Sequence, residues 1–96
     1  MMHEYLKDHI VEELNGAVDY MEKAIECKKT MCGSKFYTMA EMEIEHANCM
    51  LKMFNATEKS NKTTDSEYAS MYKAILESYS TVMGKYEHLK KLYWKE

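Results

Sequence analysis

The sequence contains no proline, no arginine and only three glycines among its 96 residues. Without proline, and with glycine so scarce, it lacks the punctuation of a turn-rich β fold, while Met, Glu, Lys, Ala and Leu, all strong helix formers, are common. All thirteen basic residues are lysines and the formal charge is −3. The missing arginines remove the bidentate reader of phosphate and guanine, and no basic block stands out, so nucleic acid is not an expected partner. No apolar run approaches the roughly 20 residues that cross a bilayer, so no membrane is expected either. The start, Met1-Met2-His3-Glu4-Tyr5, lacks the basic-then-apolar layout of a secretory leader.

Cysteine is sparse and odd in number: Cys27, Cys32 and Cys49. Without a leader, that count predicts reduced thiols and a cytoplasmic location. The Cys27-x4-Cys32 spacing is not the CxxC of a rubredoxin or a zinc knuckle, so these are read as buried or incidental thiols. Asn55-Ala56-Thr57 and Asn61-Lys62-Thr63 match the glycosylation sequon, and are read as chance matches in a polar loop. With 46% hydrophobic residues, the chain suffices for one small domain, 1–96, whose modest core benefits from a partner or a metal.

What is present is helical periodicity. Leu6, Ile10, Leu14, Ala17, Val18, Met21, Ala24 and Ile25 recur at helical spacing, predicting a helix over about 3–27. Lys28 and Lys29 suit its C-terminus, where cations meet the negative end of the dipole. Phe36, Met39, Ala40, Ala47, Met50, Leu51 and Phe54 predict a second helix over 31–54. A polar stretch from Asn55 to Ser66 is the clearest loop, with Asp65 or Ser66 available to cap a third helix over 66–94. In that helix Tyr68, Tyr72, Ile75, Tyr79, Val82, Tyr86, Leu89 and Tyr93 alternate steps of four and three, a heptad seam. The tyrosines read as a packing stripe whose hydroxyls reach the rim, in preference to a radical or electron relay. The fold class expected is all-α: an antiparallel two-helix hairpin plus a long third helix.

Three polar residues fall on apolar faces. A helix turns about 100° per residue, so Glu13, three after Ile10 and four before Ala17, lies on the apolar stripe while Glu12 falls opposite. Glu43 is four after Met39 and four before Ala47, near the middle of the second stripe, whereas Glu41 and Glu45 point outward. His46 follows Glu43 by one turn on the same flank, making an ExxH motif, Glu43-Ile44-Glu45-His46. A buried ionised carboxylate costs on the order of several kcal/mol unless it is paired or metal-bound. Oxygen and imidazole donors suit iron or manganese, and zinc also accepts them. The competing reading has both carboxylates reaching solvent along an incomplete core, with His46 hydrogen-bonded at its edge.

The midpoint between Glu13 and Glu43 is residue 28. A turn near Lys28 to Thr30, with Thr30 as a cap, sets the two at one height. Gly33-Ser34 is the competing turn and offsets them by roughly 15 Å at 1.5 Å rise per residue. The earlier turn is favoured. Di-iron carboxylate bundles take one Glu from each of two helices and a Glu-x-x-His from each of the other two. One chain offers half of that set, and a two-fold homodimer, the commonest oligomer, completes four Glu and two His.

The stretch Glu12-Glu13-Leu14, Ala17-Val18-Asp19-Tyr20, Ala24, Cys27-Lys28, then Glu43-Ile44-Glu45-His46-Ala47 and Met50 resembles the encapsulated-ferritin branch of the ferritin-like superfamily over residues 6 to 54. The resemblance implies a half-ferritin whose dimer or higher homo-oligomer closes a four-helix core. It implies a ferroxidase centre in which two Fe²⁺ bind side by side, bridged by Glu43 and held terminally by Glu13 and His46. Dioxygen or peroxide would accept the electrons and leave Fe³⁺, with Mn or Zn as substitute ions. Tyr20 matches a tyrosine beside that centre and Glu12 an outer metal-gathering carboxylate, although Asn15 stands where another acid is expected. The family's Gly-Ser-Leu tail, which docks into an encapsulin shell, has no counterpart in Leu89-Lys90-Lys91-Leu92-Tyr93-Trp94-Lys95-Glu96. The third helix is also longer than the family's, so neither the shell nor an annular decamer is implied, and the tyrosine seam is a candidate assembly surface instead. Iron storage or detoxification follows from the resemblance. Two rivals remain. One is a rubrerythrin-like peroxidase, for which the rubredoxin cysteines are lacking. The other is a non-enzymatic helical assembly module with a structural metal.

Overall fold

The three amphipathic patterns fold as three helices in the computed structural model, which describes residues 2–57 and 63–95. They are α1 (Met2–Glu26), α2 (Met31–Ala56) and α3 (Asp65–Trp94), and no strand occurs among the described residues. No described helix is long and apolar enough to cross a membrane. The chain is all-α. Part of the polar loop, residues 58–62, lies outside the described residues, and with it Asn61 of the second sequon. Asn55 of the first sequon is helical, since α2 runs through Ala56.

α1 occupies the centre. Its Leu6, Ile10, Leu14, Ala17, Val18, Met21 and Ala24 are buried, and both other helices pack their backbones against it. α2 meets α1 through small residues spaced by sevens: Gly33, Ala40 and Ala47 are buried, and Phe54 closes the series. Small residues at the contact let two helix axes approach closely. His3 Nε2 lies 2.9 Å from the Thr57 carbonyl, at the far end of α2 from the connecting turn, so α1 and α2 run in opposite directions.

The turn covers residues 27–30. The Thr30 amide donates to the Cys27 carbonyl at 2.8 Å, and the Gly33 amide to the Thr30 carbonyl at 3.1 Å. Gly33 lies inside α2 rather than at the turn. A Cβ there would stand 2.5 Å from the Cys27 carbonyl oxygen, so the first turn of α2 rests directly on the backbone that ends α1. Thr30 occupies the N-cap position without a side-chain cap. Its hydroxyl donates backwards to the Cys27 carbonyl at 2.8 Å instead.

α3 presents its seam to α1. Ile75, Tyr86 and Tyr93 are buried, and Tyr68, Tyr72, Tyr79, Val82 and Leu89 pack against the same core. The seam is thus occupied within the chain, which removes it as a free assembly surface. Phe54 stacks on Tyr68, with centroids 5.1 Å apart, and His3 meets both rings edge-on. α3 is capped by Thr64 and not by Asp65 or Ser66 as expected. Thr64 Oγ1 accepts from the Glu67 amide at 3.1 Å, and the Glu67 carboxylate accepts from the Thr64 amide at 3.3 Å. This reciprocal box needs a carboxylate three residues after the cap, and only Thr64 has one so placed.

The two threonine caps give a direct test. Thr64→Ala removes half of the capping box and should destabilise the fold by about 1 kcal/mol in urea unfolding. Thr30→Ala, which loses no cap bond, should change stability by less than half as much.

Candidate metal centre

Glu13 stands on α1 between Ile10 and Ala17, both fully buried. Glu43 stands on α2 between Ala40 and Ala47, also fully buried. Each carboxylate therefore leaves its helix at the margin of the α1–α2 contact. Because the turn lies at 27–30, the two occupy the same height. His46, one turn beyond Glu43, joins them: its Nδ1 lies 3.8 Å from Glu13 Oε2 and 3.7 Å from Glu43 Oε1. One ligand atom from each of the three residues can be chosen so that all lie within 4.8 Å of one another.

The environment is graded. The Glu13 side chain is 18% exposed and that of Glu43 24%, whereas His46 is 53% exposed. His46 was expected on the inward flank with Glu43, and in this single chain it sits at the rim. Glu13 Oε2 is buried and has no hydrogen-bond partner. Burial, then the adjacent Glu13 carboxyl through a hydrogen bond and through its charge, pushes Glu43 up to about 7, with His46 pulling in the other direction. A like charge beside a partly buried carboxyl favours its protonated form.

Such a donor set fits a divalent metal. Ligand bonds of about 2.0–2.2 Å place donors of one ion within roughly 4.4 Å of one another, close to the observed spread. Two carboxylates and one imidazole match the preferences of iron, manganese and zinc. A bound metal would supply the partner that this Glu13 oxygen lacks among the described residues. Three donors leave coordination positions for other ligands.

Tyr20 stacks on Phe36 with ring centroids 6.1 Å apart. Glu12 is 72% exposed, faces His9 at 3.9 Å and is not one of the three clustered donors.

One carboxylate departs from the sequence reading. Glu41, expected to point outward, turns to α3, where it accepts from the Tyr86 hydroxyl at 2.5 Å and from Lys90 Nζ at 2.8 Å. Burial works to raise its carboxyl, but the hydrogen bonds from Lys90 and Tyr86 outweigh it and hold Glu41 below the usual range. Burial, reinforced by the Glu41 bond, pushes the Tyr86 phenol far upward. Trp94 Nε1 donates to the Tyr37 hydroxyl at 3.0 Å, and Tyr79 to Asn48 at 2.9 Å. These bonds join α2 to α3, whose backbones do not approach. A buried tyrosine at the centre of the seam needs a polar partner, and that requirement was the signal pointing to Glu41. Two further residues went unnoticed in the sequence. His3 continues the stripe of Leu6 and Ile10. Gly16 lies in the interior of α1, where glycine costs about 1 kcal/mol relative to alanine.

The Glu43 shift sets the pH response of the metal-free protein. Its folded value lies above the ordinary 4.5, so its contribution to stability is complete below about 4.5 and is lost as pH rises through about 7. The melting temperature of metal-free protein should therefore decline between pH 5 and 8, and Glu43→Gln should flatten that decline. Comparisons with protein-family models, with curated proteins and with solved structures find no match, so the functional reading rests on the geometry of Glu13, Glu43 and His46.

Proposed function

We propose that this chain is an iron-binding, ferritin-like protein that oxidises Fe²⁺ to Fe³⁺ at a site shared between two copies. The observation that carries the reading is the gathering of Glu13, Glu43 and His46, with a buried Glu13 oxygen that lacks a hydrogen-bond partner. Helix-bundle di-iron centres need twice this donor set, and a two-fold axis supplies it because the same patch meets itself.

The surroundings of the site support a pairing face. Met39 lies four residues before Glu43, Met42 four before His46, and Met53 seven after it, so all three flank the cluster on α2. They are 39%, 47% and 49% exposed. On α1, Tyr5 is 56% exposed and packs its ring on His9 at 4.3 Å, one turn before Glu13. Methionine-rich faces adapt to a partner surface. In the proposed dimer each antiparallel α1–α2 hairpin supplies two helices of a four-helix core, and α3 covers the opposite side. Burying His46 and the methionines would exclude water from the site.

The residue roles follow from their chemistry. Glu13 and Glu43 supply the negative charge that draws in Fe²⁺ and stabilises Fe³⁺ more strongly. His46 offers an imidazole nitrogen whose exposed position at the rim can meet the partner copy. Binding of the ion displaces the proton held by the Glu43 carboxyl, so affinity should rise with pH near neutrality. Two Fe²⁺ would give up one electron each, and with two protons from solvent the pair would reduce dioxygen to hydrogen peroxide, or hydrogen peroxide to two waters, while the protein supplies charge and geometry. Tyr20 serves as a packing residue beside Phe36 in this reading. Mn²⁺ and Zn²⁺ would occupy the same donors without being oxidised by this route.

Aerobic addition of Fe²⁺ should produce a rapid rise in near-ultraviolet absorbance, and the Glu43→Ala/His46→Ala variant should be slower by at least about 100-fold. Equal rates in the two proteins would sink the enzymatic reading. Sedimentation should show a dimer once iron is bound, whereas a monomer that tightly binds two irons would refute the shared site.

A further inference from the structure

The interior of α1 contains one residue that weakens it. Glycine within a helix is less favourable than alanine because its backbone loses more freedom on folding. Gly16 sits one turn after Glu13, on the flank of α1 that faces α2. A methyl group built there would stand 2.8 Å from Glu43 Oε2, 3.7 Å from its Cδ and 3.9 Å from its Cγ. The first distance is shorter than a Cβ tolerates, and all three atoms belong to the same side chain. The space left by the missing Cβ is therefore filled by the carboxylate of Glu43.

Gly84, in the interior of α3, provides the contrast. A Cβ there would meet nothing within 4 Å. Gly84 thus faces open space, whereas Gly16 carries a carboxylate against its helix.

We infer that Gly16 is a positioning residue for the metal centre, the recess on α1 that seats the Glu43 carboxylate beside Glu13. Its Oε2 rests over Gly16 and its Oε1 faces His46 at 3.7 Å. A side chain at residue 16 would push the carboxylate back toward α2 and out of reach of the other two donors. The displaced group is the free end of a flexible side chain, so the fold tolerates the change while the site does not. Gly16 acts on metal binding through Glu43 alone. This inference rests on the metal reading of Glu13, Glu43 and His46 given above.

Gly16→Ala and Gly84→Ala are compared in the full-length chain, with Co²⁺ and Zn²⁺ as probes. Both variants should melt higher than wild type when metal-free, by about 4 °C, because alanine replaces glycine inside a helix. Gly84→Ala should bind Co²⁺ and Zn²⁺ as wild type does. Gly16→Ala should bind them roughly 10- to 100-fold more weakly, with a changed Co²⁺ visible spectrum. In a Glu43→Ala background, adding Gly16→Ala should lower affinity no further. Additive losses would show a general distortion of the fold and overturn the inference, as would unchanged binding by Gly16→Ala beside a wild type that binds. Wild-type protein that binds neither ion overturns the metal reading. The recess is then judged on metal-free protein, where the Glu43 side-chain carboxyl ¹³C resonance should move in Gly16→Ala and stay in place in Gly84→Ala. A stationary resonance in both variants overturns the recess, whatever the metal result.

Discussion

α1 must satisfy two partners at once, and that constraint shapes the molecule. α2 and α3 both pack on it, so its stripe widens to include Ala17 and Val18, Met21 and Ala24. Burial of this stripe is the principal stabilisation available to a chain of 96 residues. Against α2 the contact is made by Gly33, Ala40 and Ala47, which bring the two backbones close. Close backbones in turn bring the Glu13 and Glu43 carboxylates into contact at the margin of the core. Larger residues at Ala40 or Ala47 would separate the helices and with them the donors.

The site carries a tension that the core does not resolve. Two carboxylates meet in a partly buried place, one oxygen of Glu13 lacks a hydrogen bond, and Glu43 retains its proton up to about 7. Removing one partner of such a cluster relieves repulsion, which is the reverse of a structural ion pair, where removing one partner exposes the other. A cation relieves the same repulsion without any loss of residues. The contrast with Glu41 on the same helix is instructive. There Lys90 and Tyr86 supply donors and positive charge, the carboxylate is held ionised, and its role is to join α2 to α3. Glu41 and Glu43 are two residues apart, and their different neighbours give them different chemistry.

The third helix contributes indirectly. Its seam packs on α1, and its Tyr79 and Tyr86 donate hydrogen bonds to Asn48 and Glu41 of α2. Met39, Met42 and Met53 stay exposed on α2. The proposed pairing depends on these exposed methionines lying beside Glu13, Glu43 and His46.

Periodicity alone determined the three helices, because apolar residues at 3.6-residue spacing must share a face that leaves water. The same rotation separated Glu13 from Glu12 and Glu43 from Glu45, and the midpoint at residue 28 favoured a turn there over Gly33-Ser34, a choice that the fold settled at residues 27–30. These are local quantities. The sequence did not determine the direction of Glu41, since a residue at the edge of a stripe is assigned only when a third helix provides Tyr86 and Lys90. Nor did it determine that Thr64 caps α3, a choice made by the reach of Glu67. The use of Gly16 was hidden for the same reason. The absence of a side chain acquires meaning only when another helix fills the space. For Glu13, Glu43 and His46, sequence placed each residue on a face, and tertiary packing brought three donors from two helices within reach of one another.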